Sequence, residues 1–580
     1  MPSLAPVYQQ LMPIVDDLLQ QFAHLHRLSG SEDAERAAAL LVSVLQKYGL
    51  NARLEQCPLL LSDPLEGGLA LADFPDWHCA AKTRSFSAHC PQGRRAALFY
   101  DPLSTSARSD RQWQQWALQV KGKIVIADQG FEDYVQRLSA AQAVGLVHIW
   151  GSAESALHEE TVGPIWGTPT PDDRLRYPTL PVVSINQHDG QRLLELYRQT
   201  SGPLLADLRT VLQQHVRICS LPIVDIAGDS DEFVLLSSHY DSWHQGVTDN
   251  ATGNALCVAM ALHFQQQSAT LRRGLRIAWW PGHSNARYGG STWYADNYRQ
   301  VLGEHCIAHI NVDSPGCRDA VQVVINASGA ELTDFLQQAV QAVTGQPPLR
   351  ITPLGKGGDQ SFWGSGIPLH FALREIPLEK TSDSPGSGGG WWWHTRDDSY
   401  DKVDLAILWR DCQIHVHWLD HLLHQPLLPL NVADYLQKML LALNTLQQRL
   451  DPCFDLQPIA ARLLALRQPA QALTQLTAAQ PERWQALLIR LAAELHRVGY
   501  SSTDDFHYDL SYHGGAYPGL QQLAADLRQT SEETTLMMIT QYRRQRDRAC
   551  SLLQNILADI QREMAAAELD SGCKPSSATT

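Results

Sequence analysis

The sequence lacks the signals of a membrane-spanning or exported protein. Its 580 residues contain no uncharged apolar stretch of the roughly 18 residues that a membrane helix needs. The N-terminus, Met1-Pro-Ser-Leu, has neither the basic region nor the apolar run of a signal peptide. We therefore expect a cytoplasmic protein with no membrane partner.

Paired cysteines and excess positive charge are also missing. The 11 cysteines are an odd number and contain no Cys-x-x-Cys pair, which argues against a disulfide framework and against a thiolate zinc module. Lys and Arg number 46 against 61 Asp and Glu, giving a net charge of −15. Because a phosphate backbone attracts positive charge, nucleic acid is not an expected partner.

The pattern of apolar runs predicts an α/β fold, with a mainly parallel central sheet flanked by helices. The middle of the first half is richer in short strands, and the last part has helical periodicity. The segment 381–390, dominated by Ser and Gly, is expected to form a mobile loop. The predicted units are the first part of the α/β core (1–58), a β-rich insert (59–207), the main part of the core (208–428), a helical domain (429–569) and a disordered tail (570–580).

Ligand-type side chains follow a predicted strand near the middle of the chain. The strand Glu232–Ser238 leads into His239 and Asp241, and Asp249 comes shortly afterwards. Residues two apart on an extended chain point to the same side, and open α/β sheets bind ligands at the carboxyl ends of their strands. A structural histidine and a helix-capping aspartate are the alternative interpretation. The combination and its spacing favour a metal site.

Two later segments add similar residues. Asp313 ends the predicted strand that contains His309, and His394 follows the three tryptophans 391–393. Asp313 could instead be a turn residue, and the tryptophans could serve as core packing or as a substrate wall. Imidazole and carboxylate ligands without thiolates suit a hydrolytic divalent-metal site, with zinc as the expected ion.

With these motifs the chain resembles the zinc peptidases with two co-catalytic metals, the family of aminopeptidase Y and glutamate carboxypeptidase. Asp241 and Asp249 lie in His-x-Asp and Asp-Asn-Ala-x-Gly motifs, and 394–404 resembles the closing family signature. The stretch 121–185 resembles the protease-associated domain that is often inserted in these enzymes. The region from Pro429 is similar to their helical dimerisation domain.

The resemblance implies a role for each of these side chains. His239 and Asp313 would hold one metal, His394 would help hold a second, Asp249 would bridge the two, and Asp241 would support His239. It also implies one or two zinc ions per chain, hydrolysis of peptide or amino-acid amide bonds by a metal-activated water, and a homodimer formed through the helical domain.

One departure from the family pattern concerns the general base. Where the family has two adjacent glutamates, the chain reads Pro281-Gly-His283-Ser284-Asn285, and the Gly-Ser at 290–291 is retained. Imidazole can ligate zinc or transfer a proton near neutral pH. We interpret His283 as a ligand of the second metal, with the role of base or of simple packing as alternatives. Glu375 is a hypothetical substitute base.

Two residues are candidates for contact with the substrate. Asp359 belongs to the segment Lys356-Gly-Gly-Asp359, which resembles a substrate-side loop of the family, although a glycine-rich turn explains it equally well. Trp393 lies next to His394 and is the candidate wall residue.

Two other functions are compatible with the same residues. Gly282-His-Ser284 after a strand is close to a nucleophile elbow, and the order Ser284, Asp313, His394 is that of a serine hydrolase. This interpretation leaves His239 and Asp249 unused. Loss of the glutamates also allows a catalytically impaired scaffold that binds a partner, as the transferrin receptor does in the same broad family.

Overall fold

The computed structural model describes residues 5–108, 110–450, 454–511, 515–521 and 531–572. The strands are β1 (Ala52–Leu71), β2 (Lys82–Thr83), β3 (Cys90–Asp101), β4 (Ile124–Ala127), β5 (Gly145–Ile149), β6 (Val182–Ile185), β7 (Leu205–Ile226), β8 (Phe233–His239), β9 (Gly274–Trp280), β10 (Cys306–Val312), β11 (Gln322–Ala327), β12 (Arg350–Pro353) and β13 (Leu369–Ile376). The helices are α1 (Ala5–Phe22), α2 (Glu32–Lys47), α3 (Asp110–Val120), α4 (Glu132–Ala140), α5 (Gln187–Gln199), α6 (Thr252–Gln265), α7 (Gly289–Asn297), α8 (Arg299–His305), α9 (Thr333–Thr344), α10 (Leu405–His424), α11 (Val432–Arg449), α12 (Gln457–Ala479), α13 (Pro481–Gly499) and α14 (Glu532–Gly572).

The strands of the described residues form one large mixed sheet in the order β12-β11-β13-β10-β8-β9-β7-β3-β4-β5-β6-β2, with β1 paired to β7. In its middle, β9, β8, β10 and β13 are parallel neighbours. Both β8 and β10 are buried along their whole length, as expected for strands covered on both faces. The mixed α/β prediction is confirmed, and the parallel arrangement brings the carboxyl ends of these strands to one edge.

The insert (residues 59–207) is joined to the core through two long strands. The antiparallel pair β1 and β7 is continuous across the predicted boundaries at 58/59 and 207/208, so no linker separates the two regions. The insert nevertheless has apolar clusters of its own, around β4, β5 and β6 and their helices. Its identity as a protease-associated domain remains a prediction.

The helical region after residue 428 shares its apolar core with the α/β part. One cluster of buried side chains runs from α1 and α6 through α10 to α11–α14. Residues 570–572 of the predicted tail continue α14, and 573–580 lie outside the described residues. No helix among the described residues combines the length and apolar character needed to cross a membrane.

The segment 381–390 departs from the expected mobile loop. Ser384 and Ser387 are buried, and the Ser387 hydroxyl is hydrogen-bonded to Thr248 at 2.9 Å. A Cβ on Gly386 would lie 2.3 Å from the Trp393 ring nitrogen. Glycine is therefore needed here for close packing against the Trp393 loop rather than for mobility.

Candidate metal centre

Four of the five predicted ligands meet where the parallel strands end. His239 closes β8, and Asp313 follows the neighbouring strand β10. Asp249 lies in the irregular turn that precedes α6, and His394 lies in the long connection between β13 and α10. Each of these side chains is less than one-tenth exposed. Parallel topology thus gathers side chains from distant parts of the chain into one buried site.

Asp249 stands between the two imidazole rings. Its Oδ1 is 3.1 Å from His239 Nε2, and its Oδ2 is 3.0 Å from His394 Nε2. Asp313 Oδ1 is 3.8 Å from His239 Nε2. This arrangement has the spacing of a bridging carboxylate between two imidazole ligands.

The donor atoms of this site fit a divalent cation. His239 Nε2 and Asp249 Oδ1 are buried without a hydrogen-bond partner among the described residues. Burying a polar atom without a partner costs free energy, and a cation would accept the lone pairs of both. The ligand atoms of His239, His283 and Asp313 lie within 4.8 Å of one another. Nitrogen and carboxylate donors are those that zinc accepts.

The charges of the site are strongly coupled. Burial disfavours the protonated imidazole of His239, but the neighbouring carboxylates of Asp241, Asp249 and Asp313 outweigh this and raise its pKa well above the usual value. Burial likewise disfavours the ionised carboxyl of Asp249, but His239 and His394 hold its pKa well below the usual range. The two imidazoles therefore keep the Asp249 carboxylate ionised.

Asp241 orients two ligand segments at once. Its main-chain oxygen is 2.9 Å from His239 Nδ1, which directs Nε2 of that ring to the site. Its carboxylate accepts the main-chain N–H groups of His283 at 3.1 Å and Ser284 at 3.0 Å. Asp241 therefore positions the turn after β9 as well as the ring it was predicted to support.

His283 lies beside His239, which changes the role expected for it. The two rings stack with centroids 3.7 Å apart, and the ligand atom of His283 lies within 4.8 Å of those of His239 and Asp313. The structure thus groups His283 with His239 and Asp313 rather than with His394. The physical reason is the Asp241 carboxylate, which draws the His283 turn back toward β8.

Asp359 supports His283 and is not a wall residue of the cleft. It is fully buried, and its carboxylate lies 2.6 Å from His283 Nδ1 and accepts the Ser291 hydroxyl at 2.7 Å. It is absent from the residues lining the cleft, whereas its neighbours Gly358 and Gln360 line it. The sequence predicts that Asp359 contacts the substrate. The structure instead places its carboxylate where it orients the His283 imidazole.

Asp398 ties the His394 loop to the Asp249 turn. Its carboxylate accepts the main-chain N–H groups of Thr248 at 2.9 Å and Asp249 at 3.0 Å. The spacing of His394 and Asp398 in the sequence thus allows His394 to face the Asp249 side chain while Asp398 binds the main chain of the same turn. The two loops that carry Asp249 and His394 are held in one arrangement by a buried carboxyl group.

The remaining candidates receive different support. Trp393 lines the cleft and stacks on His394 with centroids 3.7 Å apart. Glu375 also lines the cleft, but its two oxygens accept the Cys317 N–H and the Arg410 guanidinium, each at 2.6 Å. Nothing in these contacts favours Glu375 as a base. Ser284 donates its main-chain N–H to Asp241, and among the described residues its hydroxyl has no histidine partner.

Several residues in or beside the cleft carry no sequence signal for a role there. Arg374 on β13 pairs with Asp313 at 3.0 Å. Glu159 and Glu160 of the insert approach His394: the Glu159 main-chain oxygen and the Glu160 carboxylate lie 3.0 and 3.5 Å from its Nδ1. The cleft has a volume of about 510 Å³ and is lined by both the core and the insert, which is the size range of small-ligand sites.

Part of the core is similar to a known peptidase family. Residues 223–418 match the model of Peptidase family M28. A "Probable glutamate carboxypeptidase VP8" of Zea mays is 23% identical over 348 residues, which are 49% of this chain and 48% of that protein. A "Probable glutamate carboxypeptidase LAMP1" of Arabidopsis thaliana is 23% identical over 151 residues, 23% of this chain and 22% of that protein. The chain thus spans half or less of these curated relatives.

Solved structures show the same fold. A zinc aminopeptidase from Bacillus subtilis has a TM-score of 0.54 at 18% identity, over 71% of this chain and 95% of that one. An aminopeptidase from Aneurinibacillus sp. strain AM-1 has a TM-score of 0.52 at 18% identity, over 71% and 93%. At such identities the likeness concerns the fold, and the chemistry has to be argued from the site.

Proposed function

We propose that this protein is a metal-dependent peptidase that hydrolyses peptide or amino-acid amide bonds with a metal-activated water. The observation that carries the proposal is the Asp249 carboxylate between His239 and His394, with buried donor atoms that lack a hydrogen-bond partner. The family match over 223–418 supports it. The zinc aminopeptidase fold of the structural neighbours is consistent with it.

In this proposal the ligands divide into two sets that share Asp249. His239, Asp313 and His283 hold one divalent cation with Asp249, and His394 holds a second with the other oxygen of Asp249. Zinc suits these donors. A bound zinc ion would supply a water that is acidic near neutral pH and would polarise the scissile carbonyl.

The protein's own residues orient the ligands and shape the cleft. Asp241 and Asp359 each hold one imidazole by Nδ1 and turn its other nitrogen toward the site. Trp393 and Trp243 line the cleft beside His394 and shield the reaction from bulk water. The limited volume and the insert above the site favour short substrates, and hence an exopeptidase.

Metal removal tests the proposal. The purified protein is assayed against a panel of free and N-blocked dipeptides and amino-acid amides, before and after treatment with a chelator, and again after zinc is added back. Hydrolysis should disappear with the metal and return with zinc. Full activity in metal-free protein would exclude the mechanism, and a protein that neither binds metal nor hydrolyses any substrate would favour the binding scaffold.

The assembly and location expected from the sequence complete the proposal. A homodimer formed through the helical region 429–569 and a cytoplasmic location both remain predictions. Sedimentation of the whole chain beside a variant lacking α14 (Glu532–Gly572) tests the first. A change from dimer to monomer is the expected result, and a monomeric wild-type protein would contradict it.

A further inference from the structure

The two nitrogens of His394 face different regions of the molecule. Nε2 faces the core, 3.0 Å from Asp249 Oδ2. Nδ1 faces the insert, where the Glu159 main-chain oxygen is 3.0 Å away and the Glu160 Oε2 is 3.5 Å away. The ring of one proposed ligand is thus held by a region that contributes none of the other ligands.

The insert segment at His394 is rigidly placed. Glu159 donates its main-chain N–H to the His394 main-chain oxygen at 2.9 Å, so that the two residues bond reciprocally. The main-chain oxygen of Glu160 accepts the Ser85 N–H at 3.0 Å. The Glu159 carboxylate pairs with His244 at 2.9 Å and Lys82 at 3.1 Å. These contacts fix the main chain from which the Glu160 side chain projects.

The Glu160 carboxylate is buried and directed at the ring. It is 5% exposed, and its Oε1 accepts the Thr161 N–H at 2.9 Å, leaving Oε2 for His394. A buried carboxylate beside Nδ1–H strengthens the hydrogen bond that this group donates to the Glu159 main-chain oxygen and makes Nε2 a better metal donor.

We propose that Glu160 is a positioning residue of the metal centre, by which the insert holds His394 in the Nδ1–H form and presents Nε2 with Asp249 to the second cation. The inference rests on the proposed function only in assuming that Nε2 receives a metal. It assigns to the insert a part in building the site, in addition to covering the cleft.

A direct metal site on the insert side is the competing explanation. Ligand atoms of His158, Glu160 and His394 lie within 4.8 Å of one another, and His158 Nε2 has no hydrogen-bond partner among the described residues. However, Nδ1 of His394 already donates to Glu159. The fully buried Arg84 guanidinium lies 3.2 Å from His158 Nδ1. A fixed positive charge and an occupied nitrogen disfavour a cation there.

Zinc affinity measured by competition with a chromophoric chelator tests the role of Glu160. Replacement of an outer partner of a metal-bound histidine typically costs roughly 10–100-fold in affinity. We expect a loss near the low end for Glu160→Gln, which keeps a hydrogen-bond acceptor, and near the high end for Glu160→Ala. Glu195→Gln, on an exposed part of an insert helix, is the matched control and should bind zinc like the wild type.

A second readout separates this inference from the proposed function. In zinc-free protein labelled with ¹⁵N-histidine, the His394 Nδ1–H proton should exchange slowly with water, and faster in Glu160→Ala. This measurement holds even if the wild type binds no zinc, a result that would refute the proposed function alone. Unchanged exchange and unchanged zinc affinity in Glu160→Ala would overturn the positioning role. A zinc-bound Nδ1 would overturn it in favour of direct ligation.

Discussion

The two halves of the candidate site are built in different ways. In the core half (His239, His283 and Asp313), the side chains follow parallel strands of the sheet, and the Asp241 main-chain oxygen and the Asp359 carboxylate orient the two rings. In the insert half (His394, Glu159 and Glu160), a loop residue is held by a partner 235 positions away in the chain. Asp249 belongs to both halves. The core half depends on the sheet alone, whereas the insert half requires two regions to meet.

The largest effect is expected where the halves join. Asp249→Asn keeps the shape of the side chain but removes the charge that both rings face, so zinc should be lost from both halves. Hydrolysis should fall to the level of zinc-free protein. Zinc per chain and initial rates are the measurements, with the exposed Asp231→Asn as control. Zinc content equal to the wild type would show that Asp249 does not bridge.

Single ligand replacements should affect the halves separately. His394→Ala should remove about one zinc per chain from the insert half, and His283→Ala about one from the core half, because zinc sites keep a fixed ligand count. Metal analysis of both variants and of the double variant checks this. If His283→Ala keeps all its zinc and loses only activity, His283 is a base and the core half has three ligands.

Replacing Asp359, whose carboxylate orients the His283 ring of the core half, should have a smaller effect. Asp359→Asn leaves His283 in place but weakens the charge behind its Nδ1, and should lower zinc affinity by roughly 10–100-fold. The loss should be comparable to that of Glu160→Gln if a carboxylate orients a ring in the same way in both halves. Asp334→Asn, exposed on α9, is the control. A normal zinc affinity in Asp359→Asn would mean that only the insert half depends on an orienting carboxylate.

The smallest expected effect is a change in the free energy of unfolding with pH, which arises from two buried histidines of the core. His309 and His370 are register partners on β10 and β13 and are buried. Burial, together with a neighbouring histidine in each case, lowers both pKa values, that of His370 to about 3. Because the folded pKa is depressed, this contribution to stability is complete above about pH 6.5 and is lost as pH falls below it, by about 1.4 kcal/mol per pH unit for each imidazole.

Urea unfolding at several pH values between 7.5 and 5 tests this effect. His370→Gln, which cannot take up a proton in this range, should flatten the decline by the share of one imidazole. His188→Gln, at an exposed position of the insert, is the matched control and should leave the slope unchanged. Equal slopes in the wild type and His370→Gln would mean that the core imidazole does not couple folding to pH.

Local patterns were enough to predict the ligands of the core. His239 and Asp313 follow apolar strands directly, and Asp249 precedes a helix at short distance. Since parallel strands present their carboxyl ends at one edge, a single sequence already predicts that such residues meet. His394 was found through a motif, whose spacing to Asp398 reflects the hydrogen bonds that the Asp398 carboxylate accepts from the Asp249 turn.

Only the tertiary structure decided three points: the side on which His283 lies, the orienting role of Asp359 and the role of Glu160. Each depends on a contact between segments that are distant in the chain: Asp241 with the turn after β9, Asp359 with His283, and the insert with His394. Periodicity and motif spacing describe neighbours along the chain. They carry no information about which distant carboxylate packing will bring against a ring, and so the amino-acid sequence alone determined the candidate ligands of this protein but not the groups that orient them.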